Sequence, residues 1–85
     1  GDDLPSIDVP ANDLEAGLGF IDALKAAGFA SSNGEARRLI QGGGARINDT
    51  SVQDEARALT MADMTEDGYI KVSAGKKRHA LIKAA

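Results

Sequence analysis

The side chains able to do chemistry in this 85-residue chain are basic rather than catalytic. Arg37 and Arg38 stand side by side, Arg46 follows shortly after, and Lys76-Lys77-Arg78 forms a second cluster near the end. A guanidinium is a planar fork that meets two phosphate oxygens at once, so arginine suits anion recognition better than the point charge of lysine. His79, the only histidine, lies between the basic run and the apolar Ala80-Leu81-Ile82. It reads as a half-exposed strand residue or an extra anion contact, not a general base. Ser31 and Ser32 are accounted for locally as helix caps. The acids have neither calcium-loop spacing nor the pairing of catalytic carboxylates. Gly42-Gly43-Gly44 lacks the Gly-Lys-Ser/Thr ending of a phosphate loop and follows a helix, so it reads as a helix end running into a turn. With no cysteine there is neither a disulfide nor a thiolate metal site. No active site, metal site or cofactor site is found.

A formal net charge of −3 at first argues against a polyanionic partner, but the charges are segregated. Residues 1–24 hold six acids and no base. Residues 25–48 set Lys25, Arg37, Arg38 and Arg46 against Glu35 alone. Residues 49–68 hold six acids against Arg57, and beyond them Lys71, Lys76, Lys77, Arg78 and Lys83 are unopposed. A fold that joins the two basic blocks makes a two-sided domain with one basic side. The competing reading is a solvated helix face carrying a Glu35–Arg38 pair.

The length allows one small domain that buries about 60–65% of its unfolded surface, too little for a deep catalytic cleft. No run of about 18 apolar residues exists to span a membrane. The opening Gly1-Asp2-Asp3-Leu4-Pro5 lacks a starting Met and a signal pattern, so the chain reads as a piece of a longer polypeptide. The lack of cysteine suits the reducing cytoplasm.

The elements that must position the basic groups follow from periodicity. Residues 1–17, with Pro5, Pro10 and Gly17, read as a linker in which Ile7-Asp8-Val9 offers one edge strand; residues 18–85 read as the domain. Phe20, Ile21, Leu24 and Ala27 form an apolar stripe over a helix at about 18–27, closed by Gly28 with Phe29 folding back. Ser32 and Glu35 make a capping box for a second helix, whose Ala36, Leu39 and Ile40 turn inward and leave Arg37, Arg38 and Gln41 outside. Alternation then predicts a strand at 45–48, a turn at Asn48-Asp49 and a return strand at 50–52. The acidic stretch 53–68 is irregular, with Leu59, Met61 and Met64 as anchors. A closing hairpin pairs 69–73 with 78–83 around Ala74-Gly75-Lys76-Lys77. The architecture is α+β, a helix pair packed on one face of a small, mostly antiparallel sheet.

The segment SSNGEARRLIQGGGARIN, residues 31–48, resembles the S-four-type RNA-binding domain. That pattern joins a capping serine, here Ser32, to Glu35-Ala36-Arg37-Arg38-Leu39-Ile40, a glycine at Gly43, and a strand ending in an Asn turn at Arg46-Ile47-Asn48. The preceding Gly-Phe-Ile-Asp-Ala-Leu helix, the acidic middle and the closing Gly75-Lys76-Lys77-Arg78-His79-Ala80-Leu81-Ile82 narrow the resemblance. Over residues 4–85 the chain resembles the C-terminal domain of bacterial tyrosyl-tRNA synthetases. The resemblance implies a tRNA-binding role toward tRNA(Tyr) and its long variable arm. It also implies a separate catalytic domain in the same polypeptide to bind ATP and tyrosine, and a monomeric isolated domain without a cofactor of its own. The RNA-binding candidates are Lys25, Ser32, Arg37, Arg38, Gln41, Arg46, Asn48, Lys76, Lys77, Arg78 and His79. Two departures stand out. Asp49 replaces a common glycine, which counts against a tight turn, and Ala45 replaces a larger β-branched residue, which loosens the strand.

Aromatics are few (Phe20, Phe29 and Tyr69), so phosphate and 2′-hydroxyl contacts to a structured stem fit better than stacking along a single strand. The same domain type is appended to rRNA-modifying and ribosome-associated proteins; the basic closing hairpin favours the synthetase. A DNA-reading helix pair would need free polar residues where Ser32, Asn33, Gly34 and Glu35 are taken up in capping. A protein-interaction module would suit the acidic total but needs an exposed apolar patch.

Overall fold

The computed structural model describes residues 4–84. Its main sheet has five strands in the order β1-β7-β6-β3-β4, comprising β1 (Ser6–Val9), β3 (Ala45–Ile47), β4 (Thr50–Ser51), β6 (Tyr69–Ala74) and β7 (Arg78–Ala84). All pairings are antiparallel except that of β1 with β7. Two residues each from β2 (Leu18–Gly19) and β5 (Ala58–Leu59) make a second, antiparallel ladder. Three helices complete the α+β fold: α1 (Ala11–Ala16), α2 (Phe20–Ala26) and α3 (Asn33–Gln41).

The core lies between the helix pair and one sheet face. Phe20, Ala23 and Leu24 of α2 and Ala36 and Ile40 of α3 are fully buried with Ile70, Val72, Ala80 and Ile82 of the sheet. Strand alternation sends Tyr69, Lys71 and Ser73 to the opposite face. Helix α2 begins at Phe20 rather than at residue 18, because Leu18 and Gly19 pair with Leu59 and Ala58. Its end is a Schellman closure. Gly28, at φ +80°, donates to the Lys25 carbonyl, and the buried Phe29 donates to that of Leu24, each at 3.0 Å. Ser32 caps α3 by accepting the Glu35 N–H at 3.1 Å. The return half of the expected box goes elsewhere: the Glu35 carboxylate takes the Ser31 hydroxyl at 3.0 Å.

Residues 6–16, within the stretch read from sequence as a linker, are integrated into the fold. β1 runs beside β7 with Ser6 opposite Leu81 and Val9 opposite Ala84, and Val9 and Leu14 are buried. Six residues of α1 carry one buried anchor, Leu14, too few for a periodic apolar signal.

The Asn48-Asp49 turn is tight, against the expectation drawn from Asp49. Both residues are left-handed, at φ +49° and +69°, the arrangement that joins two twisted strands with two residues. Asn and Asp tolerate this conformation better than other non-glycine residues. Lys71 Nζ donates to Asp49 Oδ1 at 2.9 Å. Ala45 is fully buried opposite the equally buried Ala74, so its small side chain is part of the packed core.

In the acidic stretch Leu59 is buried and Met64 packs against the core, as expected, whereas Met61 is 43% exposed. Met61 opens a 3-10 turn, Met61–Asp63, whose cap at Thr60 turns that side chain outward. The stretch is held by its single base. Arg57 donates to both oxygens of Asp63, at 2.6 and 3.0 Å, and Asp63 also accepts the Thr60 N–H at 2.9 Å. The Arg57 bond holds the Asp63 carboxyl below the usual aspartate range.

Because the folded state favours the ionised form, this contribution is complete above the unfolded aspartate value of about 3.9 and fades as pH falls through the lower folded value. Asp63→Ala strands a half-buried guanidinium and the Thr60 N–H, and should destabilise the domain by about 2 kcal/mol at pH 7. Urea unfolding of parent and variant should show that difference shrinking toward pH 3; an undiminished difference would mean that lost packing dominates.

Candidate nucleic-acid interface

The two basic blocks, far apart in sequence, meet at the tip of the β6–β7 hairpin. Ala74 pairs with Arg78, which leaves Gly75-Lys76-Lys77 as the loop, with Gly75 at φ +68° and both lysines exposed. The Gly75 N–H donates to the Gly44 carbonyl in the α3–β3 loop at 2.8 Å. The Gly75 carbonyl accepts Arg46 Nη2 at 2.5 Å. Arg78 reaches the other way, donating to the Phe29 carbonyl at 3.2 Å with its guanidinium 5.5 Å from the centre of the Phe29 ring. The loop is thereby tied both to the end of α3 and to the α2–α3 connector.

Arg37, Arg38 and Gln41 are exposed on α3, with Ala36 and Ile40 facing the core. At 100° per residue Arg38 sits on the outer crest, while Arg37 and Gln41, one turn apart, share a flank. Along that flank runs the start of the acidic stretch. Arg37 pairs with Glu55, and the Gln53 side-chain amide donates to the Gln41 carbonyl at 3.2 Å. The Arg37–Glu55 pair takes the place of the Glu35–Arg38 pair. With side chains 49% and 42% exposed, it is worth about 0–1 kcal/mol and is readily exchanged for another anion. Lys25 Nζ donates to Asn33 Oδ1 at 2.9 Å, which links the last turn of α2 to the start of α3.

Arg46 and His79 lie on the helix-free face of the sheet. Arg46, Ser73 and His79 are in register across β3, β6 and β7. Ser73 is fully buried between them, and its Oγ lies 2.7 Å from His79 Nδ1, an arrangement that orients the ring. Lys71 foremost, then Arg46 and His79, hold the Asp49 carboxyl below its ordinary range.

The fold thus gathers the Arg46, Lys76, Lys77, Arg78 and His79 candidates at the hairpin tip, with Arg37, Arg38 and Gln41 on α3 and Lys25 and Ser32 at the connector. Ser32 is occupied as a cap. Asn48 stands apart with internal work: its Oδ1 accepts the Lys71 N–H at 2.9 Å, and its Nδ2 donates to the Asp63 carbonyl at 2.6 Å. Sequence reasoning missed Ser73, Phe29 and Lys71 as residues that hold groups of this surface in place. Only the alternation Tyr69-Lys71-Ser73 hinted at it, by setting Ser73 on the same side as Lys71. The one hydroxyl bonded to the histidine, that of Ser73, is fully buried, so what this side offers chemically is guanidinium and ammonium donors suited to anions. Among the described residues no helix is long and apolar enough to cross a membrane.

A family model described as the tyrosine–tRNA ligase SYY-like C-terminal domain matches residues 2–82. The chain is 55% identical over 82 residues to a tyrosine–tRNA ligase of Rhizobium meliloti, covering 96% of this chain and 20% of that protein. It is 51% identical over 82 residues to one of Bradyrhizobium diazoefficiens, with the same shares covered. Against one of Rhodospirillum rubrum it is 55% identical over 83 residues, covering 98% of this chain and 20% of that protein. The chain therefore spans about a fifth of the length of the curated relatives it matches.

The tether at the hairpin tip has a measurable consequence. Arg46→Met keeps an aliphatic stem over the strand but removes the charged donor to the Gly75 carbonyl, a bond of a class worth about 1.5–3 kcal/mol. Amide hydrogen exchange at residues 75–77 should accelerate about tenfold or more, with Ile70 and Ile82 unchanged. Equal protection in both proteins would show that the Gly75–Gly44 bond alone holds the tip.

Proposed function

This chain belongs to the tyrosine–tRNA ligase SYY-like C-terminal domain family, and on that premise we propose that it grips tRNA(Tyr) near the long variable arm through backbone and shape contacts. The observation that carries the reading is the Gly75 tether, which turns two basic segments some thirty residues apart into one surface. Arg38 on the crest of α3 and Lys76 and Lys77 at the loop are exposed donors. Arg37 joins them by trading its exposed bond to Glu55 for a phosphate oxygen. Such a surface reads the path of a phosphate backbone rather than base edges.

In this reading the domain positions tRNA and performs no chemistry. Activation of tyrosine with ATP belongs to a catalytic domain elsewhere in the longer polypeptide, the partner of this domain in the same chain, and the domain itself needs no cofactor. A cytoplasmic setting goes with a role in protein synthesis. The isolated domain is monomeric and binds in the micromolar range or weaker, since the catalytic domain shares the load.

Each neutralised phosphate contributes about −0.7 to −0.9 to the slope of log affinity against log salt. About four contacts therefore give a slope near −3. Replacing Arg37 and Arg38 together by Glu should weaken tRNA(Tyr) binding by about 100-fold or more and leave the circular dichroism spectrum intact. Retained affinity in that double variant would remove α3 from the interface. In an NMR titration, amide shifts should concentrate at 32–48 and 75–79 and be larger for tRNA(Tyr) than for a tRNA with a short variable arm. Equal responses would reduce the reading to general RNA binding.

A further inference from the structure

The helix-free face of the sheet carries a cleft of about 460 Å³ that the phosphate-contacting surface does not use. Its base is a block of four residues set by strand register. Tyr69 lies opposite Lys83, and Lys71 opposite Leu81, with Ser6 beyond Leu81 on β1. One diagonal of the block is therefore cationic, the other aromatic and aliphatic. Diagonal neighbours on a sheet stand about 7–8 Å apart, so the Lys83 ammonium, joined by that of Lys71 when it leaves its exposed pair with Asp49, can reach one anion while a flat ring rests on the other pair. Leu81 is only 8% exposed although it points away from the core, so it forms a floor rather than a protrusion. Leu4 adds a second apolar wall and Asp67 a carboxylate at the rim. Asp67 Oδ2 accepts the Tyr69 hydroxyl at 3.4 Å, which keeps that ring at the edge of the cleft.

We propose that this cleft takes one unpaired nucleotide of the bound RNA, an inference that rests on the reading in the preceding subsection. The base lies against the Tyr69 ring and the Leu81 and Leu4 side chains. Its phosphate sits against Lys83, with Lys71 exchanging its exposed bond to Asp49 for a phosphate oxygen. The Asp67 carboxylate accepts from an N–H of the base edge, and Ser6 supplies a hydroxyl.

Three observations select this ligand class. The volume falls in the range of small-molecule sites, about 300–1,000 Å³, and exceeds what a bare oxyanion needs. The apolar diagonal has no use for inorganic phosphate, whereas every nucleobase has a flat face to place on it. The cleft also continues the proposed RNA surface, because Arg46, Ser73 and His79 form the neighbouring row on the same face, toward the hairpin tip. Two residues along a strand advance about 6.7 Å, so a strand of RNA held at Lys76 and Lys77 reaches the cleft within about 13 Å of the His79 row.

The test is an NMR titration of the isotope-labelled 85-residue chain with tRNA(Tyr), with a single-stranded RNA hexamer and with inorganic phosphate. Amides of Tyr69, Lys71, Leu81 and Lys83 should shift with both RNAs and stay still in phosphate at equal concentration. Lys83→Ala, at an exposed position that cannot disturb the core, should weaken hexamer binding at least threefold; Tyr69→Leu should weaken it about tenfold. Shifts confined to α3 and the hairpin tip would overturn the cleft proposal and leave the tRNA-binding reading standing. An equal response to inorganic phosphate would reduce the cleft to an anion site and overturn the nucleotide assignment. No response to either RNA would overturn both.

Discussion

The two backbone groups of Gly75 fix the geometry on which the basic surface depends. Its N–H is spent on Gly44 and its carbonyl on Arg46, so the hairpin loop cannot swing away from the end of α3. A glycine suits this position because the backbone there is left-handed, at φ +68°, where a side chain is strained. From this point the rest follows in order. Arg78, the first residue of β7, is aimed at the connector and settles over Phe29. Phe29 in turn is set by the closure of α2 at Gly28, which also determines where Ser32 can cap α3.

A chain of net charge −3 gathers Arg38, Arg46, Lys76, Lys77 and Arg78 on one side because its acids are segregated from them along the sequence, and several acids are engaged within the molecule. Asp63 is bound by Arg57 and Thr60, Glu35 by Ser31 and Asp49 by Lys71. The first of these is half-buried and organises the acidic stretch; the others are exposed and contribute little to stability. Glu55 differs, since its partner Arg37 belongs to the basic surface itself. A carboxylate in that place lowers the attraction of Arg37 for indiscriminate anions, and in the proposed reading it gives way to a phosphate backbone that engages several donors at once.

The elements legible in the sequence were those with a local cause. Ser32 and Glu35 announced the start of α3, and Gly28 and Gly43 announced two helix ends, because caps and left-handed closures are settled within one turn of chain. The strands of the closing hairpin were legible from alternation and from the turn between them. Segments with a distant cause were not. Leu14 gave α1 no periodic signal, and its burial comes with the core cluster that only the completed fold assembles. Met61 had the composition of an anchor, yet the Thr60 cap turned it outward. Asp49 argued against a tight turn by type, and the turn formed with Lys71, twenty-two residues on, as its partner.

By itself the sequence determined the residue types of the surface, its helix-pair scaffold, the α+β class and the family pattern, because these depend on spacings of three to seven residues. Tertiary structure decided which charges act together. Sequence could not reveal that Arg46 would hold Gly75, that Arg37 would face Glu55, that Asn48 would be consumed in holding Asp63 and β6, or that Lys71 and Lys83 would share a cleft with Tyr69. Each of those pairings is set by strand register and loop closure between residues far apart in sequence. Such contacts exist only once the core has fixed the order of the strands.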